Sequence, residues 1–261
     1  MKKGLVKALA VCGAAIMATA ALTACGNQAS NKLIMGTNAA FPPFEYTTTN
    51  GLVGEFDGID VAIAKRIAEA DGKELQISDM EFDGLISAVS TGKIDMAVAG
   101  MTVTDERKQN VDFSDTYYVA AQVMVVAADN EDIKSAEDIK EGKKVGVVIG
   151  YIGDGIVTDD LKVDPNNISR ANRGIDIVQD VKNGKLDAVV IDSATGKALA
   201  EANGLKVVED PEAFETEEYA IAVKKGNKEL VEKINKVLAE MKASGEIDAL
   251  AVKYNSEAAA E

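Results

Sequence analysis

Two stretches of this chain resemble each other and end in residues that could hold a charged ligand. Val89–Gly100 (VSTGKIDMAVAG) returns as Val181–Asp192 (VKNGKLDAVVID). Each copy is typical of a helix end, a glycine turn and a short buried strand. The first copy runs into Thr102 and Arg107, which supply a hydroxyl and a guanidinium, and the second ends on the carboxylate of Asp192.

Opposite charges at the ends of two strands predict a site for a zwitterion. In open α/β sheets ligands lie beyond the carboxyl ends of the strands, so two facing lobes would present Arg107 from one side and Asp192 from the other. A free amino acid, with its α-carboxylate and α-ammonium, needs that pair of charges. Local sequence leaves two alternatives open, because Asp192 could be a helix N-cap and a single arginine in a polar run is commonly a surface residue. The repeated Asp95 and Asp187 are interpreted as turn residues at strand entry, without a chemical role.

The overall composition excludes several classes of protein. The 261 residues include 28 basic and 43 acidic ones, a formal net charge of −15, and no histidine. The acidic balance argues against a nucleic-acid partner. The lack of histidine removes Ser-His-Asp and Cys-His catalytic sites and most zinc sites. We therefore expect no cofactor, no metal and no enzymatic activity.

The first residues have the pattern of a secretory signal, with three lysines followed by an apolar stretch over Ala8–Leu22. The sequence that ends this stretch, Leu-Thr-Ala-Cys-Gly, resembles a bacterial lipobox. The resemblance implies cleavage before Cys25 and attachment of lipid to its sulfur; the alternative is an ordinary signal peptide with an incidental cysteine. The prediction is a signal peptide over 1–24, a lipidated tether over 25–32, and a chain held on the extracytoplasmic face of the membrane by its lipid alone.

The rest of the chain alternates predicted strands and helices, which favours an α/β fold. Leu33–Thr37 and Lys144–Gly150 are β-prone runs that end in loops, while Ile59–Ala70 and Glu229–Lys242 carry apolar residues at helical spacing. Asp83 is expected to cap a helix that runs to Val89.

Two further β-prone runs are interpreted as crossings between two lobes. Ala121–Ala127 would carry the chain into a second lobe, and Tyr219–Val223 would carry it back. The first lobe is then built from both ends of the chain. The predicted boundaries are 33–118 with 221–261 for the first lobe, 122–217 for the second, and a hinge near 119–121 and 218–220.

Several segments, in order along the chain, carry a family resemblance. The chain resembles the polar amino-acid-binding proteins of bacterial ABC importers, a solute-binding family that includes glutamine- and histidine-binding proteins. The matching segments are Gly36–Glu45, Phe56–Asp60, Phe82–Val89, Gly92–Asp95, Gly100–Arg107, Val111–Tyr118, Leu186–Asp192 and Glu218–Gly226. The resemblance implies a type II periplasmic-binding-protein-like fold, in which two α/β lobes are joined by two crossover strands and hold the ligand in the cleft between them.

The resemblance also implies roles for single residues. Arg107 would hold the α-carboxylate of the ligand, with further contacts from the Thr102 hydroxyl and the Gly100 backbone. Asp192 would accept from the α-ammonium. Two aromatic side chains would enclose the aliphatic part of the ligand, with core packing as the alternative role for each; these are Phe41 and Phe82.

Three positions depart from the family pattern and bear on the ligand. Asn38 stands where the family often has aspartate, and Tyr151-Ile152 stands where many members have threonine or serine. The backbone N–H of Ile152 could still meet the carboxylate. Ile191 and Val148 are apolar, which predicts an uncharged pocket wall.

An uncharged pocket wall favours a neutral side chain on the ligand, polar or moderately apolar. A cationic side chain would need Glu45, Glu55 or Glu81 to reach the pocket, since an unpaired buried charge is costly.

The predicted function is that of a monomeric receptor that closes on a free amino acid and delivers it to an ABC permease. Alternatives are a receptor for a cationic amino acid or cystine, a dehydratase-like enzyme on the same fold, and a sensor that acts on a separate signalling partner.

Overall fold

The computed structural model of the chain describes residues 31–258. The predictions of a signal peptide and of lipidation at Cys25 lie outside the described residues, as does most of the predicted tether. Within the described range, no helix is both long enough and apolar enough to span a membrane.

Fifteen short strands and eight α-helices are described, besides three short 3-10 helices and a π-helical segment over Ile156–Asp160. The strands are β1 (Lys32–Thr37), β2 (Ala40–Phe41), β3 (Glu45–Thr47), β4 (Phe56–Asp57), β5 (Glu74–Asp79), β6 (Met96–Ala97), β7 (Val111–Phe113), β8 (Tyr118–Ala120), β9 (Gln122–Val126), β10 (Val145–Val148), β11 (Ile168–Ala171), β12 (Ala188–Asp192), β13 (Lys206–Val208), β14 (Glu217–Tyr219) and β15 (Ala222–Lys224). The helices are α1 (Ile59–Ala70), α2 (Leu85–Thr91), α3 (Asp105–Lys108), α4 (Ile152–Gly155), α5 (Gly174–Lys182), α6 (Ser193–Asn203), α7 (Lys228–Ser244) and α8 (Glu246–Ala258).

Two five-stranded sheets with the same plan form the two lobes of the fold. The first has the order β5-β1-β6-β15-β7 and the second the order β11-β10-β12-β9-β13. In each sheet, parallel strands pair on one side and antiparallel strands on the other. The predicted fold class, two α/β lobes with a cleft between them, is confirmed.

The chain passes between the two sheets twice. It leaves the first sheet after β7 and returns to it at β15, and the two passing segments, β8 and β14, pair as an antiparallel ribbon. In this ribbon Tyr118 lies opposite Tyr219, and Ala120 lies opposite Glu217. The predicted hinge segments fall on or beside this ribbon; that the lobes move about it, and the lobe boundaries, stay predictions.

The long helices form where apolar residues recur at helical spacing. α1 has the predicted bounds and buries Ile59, Ile63 and Ile67, while α7 buries the stripe of apolar residues expected for it. The prediction that Asp83 caps α2 is wrong. Phe82–Gly84 forms a 3-10 turn, Gly84 is the N-cap of α2, and no side-chain hydrogen bond caps the helix.

The repeated stretches have the predicted form and the two aspartates play matching structural roles. Asp95 Oδ2 accepts from the backbone N–H of Ile34 at 2.8 Å, and the Asp95 N–H donates to the Ile34 carbonyl at 2.9 Å. Asp187 makes the same pair of bonds with Lys144, at 2.7 and 2.8 Å. Each carboxylate therefore holds the neighbouring parallel strand near its first residues, which is a structural role.

Candidate functional site

The loops that follow several strands meet around a small cavity between the two lobes. The space that it leaves for a water-sized molecule is small, about 10 Å³. It is lined by Phe41, Phe82, Ala99, Gly100, Thr102, Arg107, Tyr151, Ile152 and Asp192. All of the residues predicted for the ligand site are in this lining except Asn38.

Arg107 reaches the cavity from the short helix α3. Thr104 caps this helix, because its hydroxyl accepts from the backbone N–H of Arg107 at 3.1 Å. The guanidinium donates to the Thr102 carbonyl at 2.7 Å and, across the cleft, to the Gly150 carbonyl at 2.9 Å. It also lies over the ring of Phe82, with 5.2 Å between Cζ and the ring centroid. Burial lowers the pKa of Arg107, and the charges of carboxylates nearby, first that of Asp192, oppose this shift.

Asp192 enters the cavity from the opposite lobe, at the end of β12. It occupies the N-cap position of α6, but its side chain makes no capping hydrogen bond. Its Oδ1 instead accepts from the Tyr219 hydroxyl at 2.5 Å. Burial, and then the charge of Glu217, raise the pKa of Asp192 to about 7, and the bond from Tyr219 limits the rise. A capping role therefore does not explain why the Asp192 carboxyl is buried at this position.

A second carboxyl near the cavity, that of Glu217 in β14, binds one residue of each lobe. It accepts from the Thr102 hydroxyl at 2.7 Å and from the Gln122 amide at 2.9 Å. Burial raises the pKa of Glu217, and its two hydrogen bonds and Arg107 oppose the rise. Because Thr102 donates its hydroxyl proton to Glu217, the hydroxyl can still accept from a donor in the cavity.

Gly100 is held by a buried cluster of acids beneath the cavity. Its backbone N–H donates to Asp60 Oδ2 at 2.8 Å, and the Tyr117 hydroxyl donates to the same oxygen at 2.8 Å. Glu45 is 1% exposed and lies beside Asp60. Since the Gly100 N–H is taken by Asp60, the carbonyl is the backbone group that Gly100 can offer to a ligand.

Replacing Gly100 by alanine is expected to destabilise the fold and block the cavity. The backbone has φ +52°, and a Cβ would lie 2.5 Å from Phe41 Cε1. We expect a loss of about 1–3 kcal/mol in unfolding free energy, measured by urea denaturation. Gly72→Ala is the matched control, because Gly72 has φ +66° with no atom within 4 Å of a built Cβ. Equal losses in the two variants would show that contact with Phe41 adds nothing to the strain.

Aromatic rings form one wall of the cavity. Phe41 and Phe82 are 2% and 7% exposed, as core residues also would be, but both rings line the cavity. The ring of Tyr151, from the second lobe, packs against both of them. Ile152 begins α4 and also lines the cavity.

Asn38 is buried behind this wall rather than in the lining. Its Nδ2 donates to the Met80 carbonyl at 2.9 Å, and its Oδ1 accepts from the Tyr151 hydroxyl at 3.3 Å. Val148 and Ile191 are also buried and outside the lining, so the prediction that they form the pocket wall is wrong. Val148 ends β10 and Ile191 lies in β12, and both precede the residues of the second lobe that line the cavity.

The three glutamates considered for a cationic ligand are not in the lining either. Glu55 and Glu81 are exposed, and Glu45 is buried in the acid cluster with Asp60. Arg107 and Asp192 are therefore the only residues of opposite charge among the residues that line the cavity within the described chain. That lining balances one positive and one negative charge.

The cleft widens outside the cavity into a mouth of about 700 Å³. Phe82, Arg107, Tyr151 and Ile152 line both spaces, so they separate the cavity from the mouth. The part of the chain that the structure describes has no cluster of three or more candidate side chains that could hold a metal ion.

Sequence reasoning missed the residues that support the lining. From sequence, Tyr219 is placed in a β-prone crossing and in a segment of the family resemblance, and Asp60 only in such a segment, with no role for either side chain. Glu217 and Tyr117 carried no pattern that points to the site. A buried position for Asp60 could have been suspected, because it lies among apolar residues at the start of α1.

Comparison with known proteins identifies the class to which this fold and site belong. Residues 33–257 match the model of the bacterial extracellular solute-binding proteins, family 3. The chain belongs to this family.

Individual relatives are similar over nearly the whole chain. An arginine-binding extracellular protein of Bacillus subtilis, ArtP, is 38% identical over 97% of this chain and 98% of its own. The structure of an ancestral arginine-binding protein bound to glutamine is 42% identical, with a TM-score of 0.78 over 86% of this chain and 97% of that one. The ancestral amino-acid-binding protein AncCDT-1, a precursor of cyclohexadienyl dehydratase, is 34% identical with a TM-score of 0.78 over 86% and 95% of the two chains.

Proposed function

We propose that this protein is the extracytoplasmic receptor of an ABC importer, which captures a free L-amino acid by closing its two lobes and delivers it to a permease. The observation that carries the proposal is the lining of the cavity. It contains a guanidinium from one lobe and a carboxyl from the other, which can pair with the two opposite charges of an amino acid. Arg107 would take the α-carboxylate in a bidentate pair, and Asp192 would accept from the α-ammonium. The relatives named for amino acids support the same class of ligand.

The rest of the lining favours a ligand with a neutral side chain. One positive and one negative residue match the two charges of the amino-acid backbone and leave no partner for a third charge. A charge buried without a partner costs several kcal/mol, so a cationic side chain would have to reach beyond this lining.

A cationic amino acid is the second candidate, and two observations favour it. Relatives are named for arginine, and the buried carboxyl of Glu45 and the half-buried carboxyl of Glu217 lie outside the lining of the cavity. An arginine side chain would have to displace part of the wall to reach either of them.

The enzyme alternative has one physical argument in its favour. Asp192, with its pKa near 7, is a titratable group of the kind that an acid–base catalyst needs. Its bond with Tyr219 and its position opposite Arg107 suit an ammonium acceptor equally well, and the relatives compared above are named as binding proteins or as a precursor of an enzyme. We propose binding without catalysis.

The sequence supports the finer parts of the proposal. Cys25 in a lipobox-like context would carry the lipid anchor, which would keep a monomeric receptor close to its permease.

A sensor that reports to a separate signalling protein would bind the same ligand. Loss of amino-acid uptake on deletion of the gene would distinguish transport from sensing.

Thermal unfolding of residues 26–261 with each of the twenty amino acids, cystine, prephenate and arogenate tests the proposal. A ligand at a hundred times its dissociation constant stabilises by about 2.7 kcal/mol, which raises the melting temperature by several degrees. We expect a shift with one or a few neutral amino acids and none with Asp192→Ala. Shifts confined to arginine and lysine would establish the second candidate, and a shift with a pathway acid alone would contradict the receptor.

A further inference from the structure

The side chain of Tyr151 occupies the place where a ligand side chain is expected. Tyr151 follows β10 and the turn at Gly150, so it belongs to the second lobe. Its ring centroid lies 5.3 Å from that of Phe41, at an interplanar angle of 90°, and 4.7 Å from that of Phe82, at 67°. Both phenylalanines belong to the first lobe. The tyrosine ring therefore crosses the cleft and fills space beside the two rings that were expected to enclose the ligand.

The hydroxyl of Tyr151 is matched to the group behind it. It points at Asn38 Oδ1, 3.3 Å away, and the Asn38 amide nitrogen is already bonded to the Met80 carbonyl. Withdrawal of the tyrosine would leave a buried amide oxygen without this donor. Burial also raises the pKa of the Tyr151 phenol, so the group stays neutral and able to donate.

Resting on the proposed function, we infer that Tyr151 is the specificity-determining residue of this site. Its ring closes the compartment for the ligand side chain, so the site accepts amino acids with short, uncharged side chains, of the size of alanine, serine or threonine. The space left beside Arg107 and Asp192 is about 10 Å³, so the cleft must widen there for the backbone of any amino acid, and a long side chain must displace the Tyr151 ring as well. A glutamine or arginine side chain and the Tyr151 ring compete for the same space beside Phe41 and Phe82.

Two sets of interactions favour the Tyr151 ring over a long ligand side chain in this competition. The ring keeps its edge contacts with two aromatic neighbours and its bond to Asn38 only when it lies across the cleft. A long side chain gains contact with the phenylalanines only by removing these interactions, whereas a short one leaves them in place. Selectivity then comes from the cost of displacing Tyr151, in the way that a filled pocket rejects larger substrates.

Isothermal titration of the wild type, Tyr151→Phe and Tyr151→Thr with alanine, serine, glutamine and arginine tests the inference. The wild type is expected to bind alanine or serine at least ~10-fold more tightly than glutamine or arginine, a difference of about 1.4 kcal/mol. Tyr151→Phe keeps the ring and should keep this preference. Tyr151→Thr opens the compartment and should raise the affinity for glutamine or arginine at least ~10-fold relative to alanine.

Two results would overturn the inference while leaving the receptor in place: a wild type that prefers glutamine or arginine, or a Tyr151→Thr variant whose relative affinities equal those of the wild type. A wild type that binds none of these four amino acids would overturn the inference, and a wild type that no amino acid stabilises in the thermal-unfolding test would overturn the proposed function as well. Circular dichroism and melting temperatures show whether both variants fold, and Tyr151→Phe, which removes one oxygen, tests the ring even where Tyr151→Thr is unstable.

Discussion

Arg107→Ala should abolish amino-acid binding and leave the fold intact. The guanidinium is the positive group of the cavity lining, and only two of its five N–H groups donate to the protein, both to backbone carbonyls, so the others can donate to a ligand. Removing one partner of a buried, hydrogen-bonded charge pair costs about 2–5 kcal/mol, much of it from the other charge left unpaired. A micromolar ligand corresponds to about −8 kcal/mol, so its affinity would fall to the millimolar range or below detection.

The measurement is isothermal titration with the amino acid that stabilises the wild type, accompanied by thermal unfolding. Arg107→Lys keeps the charge but loses the two-pronged geometry, and should recover only part of the affinity. Arg66→Ala is the control, because it removes an arginine from a surface ion pair with Glu246. Wild-type affinity in Arg107→Ala would contradict the assignment of the α-carboxylate to this side chain.

The buried acids beneath Gly100 should make the protein less stable as the pH rises through the mildly acidic range. Burial raises the pKa of Asp60 from 3.8 to about 6, even though hydrogen bonds from the Gly100 N–H and from Tyr117 oppose the rise. The pKa of the neighbouring Glu45 is raised well above its ordinary value, first by burial and then by the charge of Asp60. The folded state therefore holds protons that the unfolded chain releases.

The sign follows from the number of protons bound by each state. Below pH 3.8 Asp60 is protonated both folded and unfolded, and between 3.8 and about 6 the unfolded chain loses the proton first. The unfolding free energy falls across this window by about 3 kcal/mol from Asp60, and Glu45 adds in the same direction. Lowered pKa values at exposed acids such as Asp138 and Glu209 act in the opposite direction.

Asp60→Asn isolates the effect, because its amide does not titrate and its oxygen can still accept a hydrogen bond. Urea unfolding between pH 4 and 8 should show the stability of the variant rising relative to the wild type by about 3 kcal/mol, most of it before pH 7. Tyr117→Phe removes a bond that lowers the pKa of Asp60, so the loss in that variant should extend to higher pH. Asp129→Asn, at an exposed loop residue, serves as the control. Parallel curves for Asp60→Asn and the wild type would refute the prediction.

The sequence was informative wherever a periodic pattern or a charged residue at a strand end sufficed. The bounds of α1 and the buried face of α7 follow from apolar spacing. Arg107 and Asp192 could be paired because both follow buried strands, and strands of this fold end at one cleft.

Features that depend on packing between distant segments could not be predicted. The wrong cap at Asp83 arose because a 3-10 turn precedes α2, and short aspartate–glycine sequences fit both structures. Asn38 is predicted in the lining but lies behind it, because the local sequence does not distinguish a residue that lines the cavity from one buried just behind the wall. The contact of the Tyr151 ring with the first lobe depends on the distance between the lobes, and no local sequence pattern predicts that distance.

The route of the chain through the two sheets makes the second lobe continuous in sequence and builds the first lobe from both ends of the described chain. β1 begins the described chain and α7 packs on α1, so the first lobe holds the strand nearest the proposed lipid anchor and the helices that end the described chain. The second lobe is an insertion, joined through the paired strands β8 and β14. In the proposed receptor the tether would join the first lobe, so closure on a captured ligand would bring the second lobe toward the lobe that is linked to the membrane.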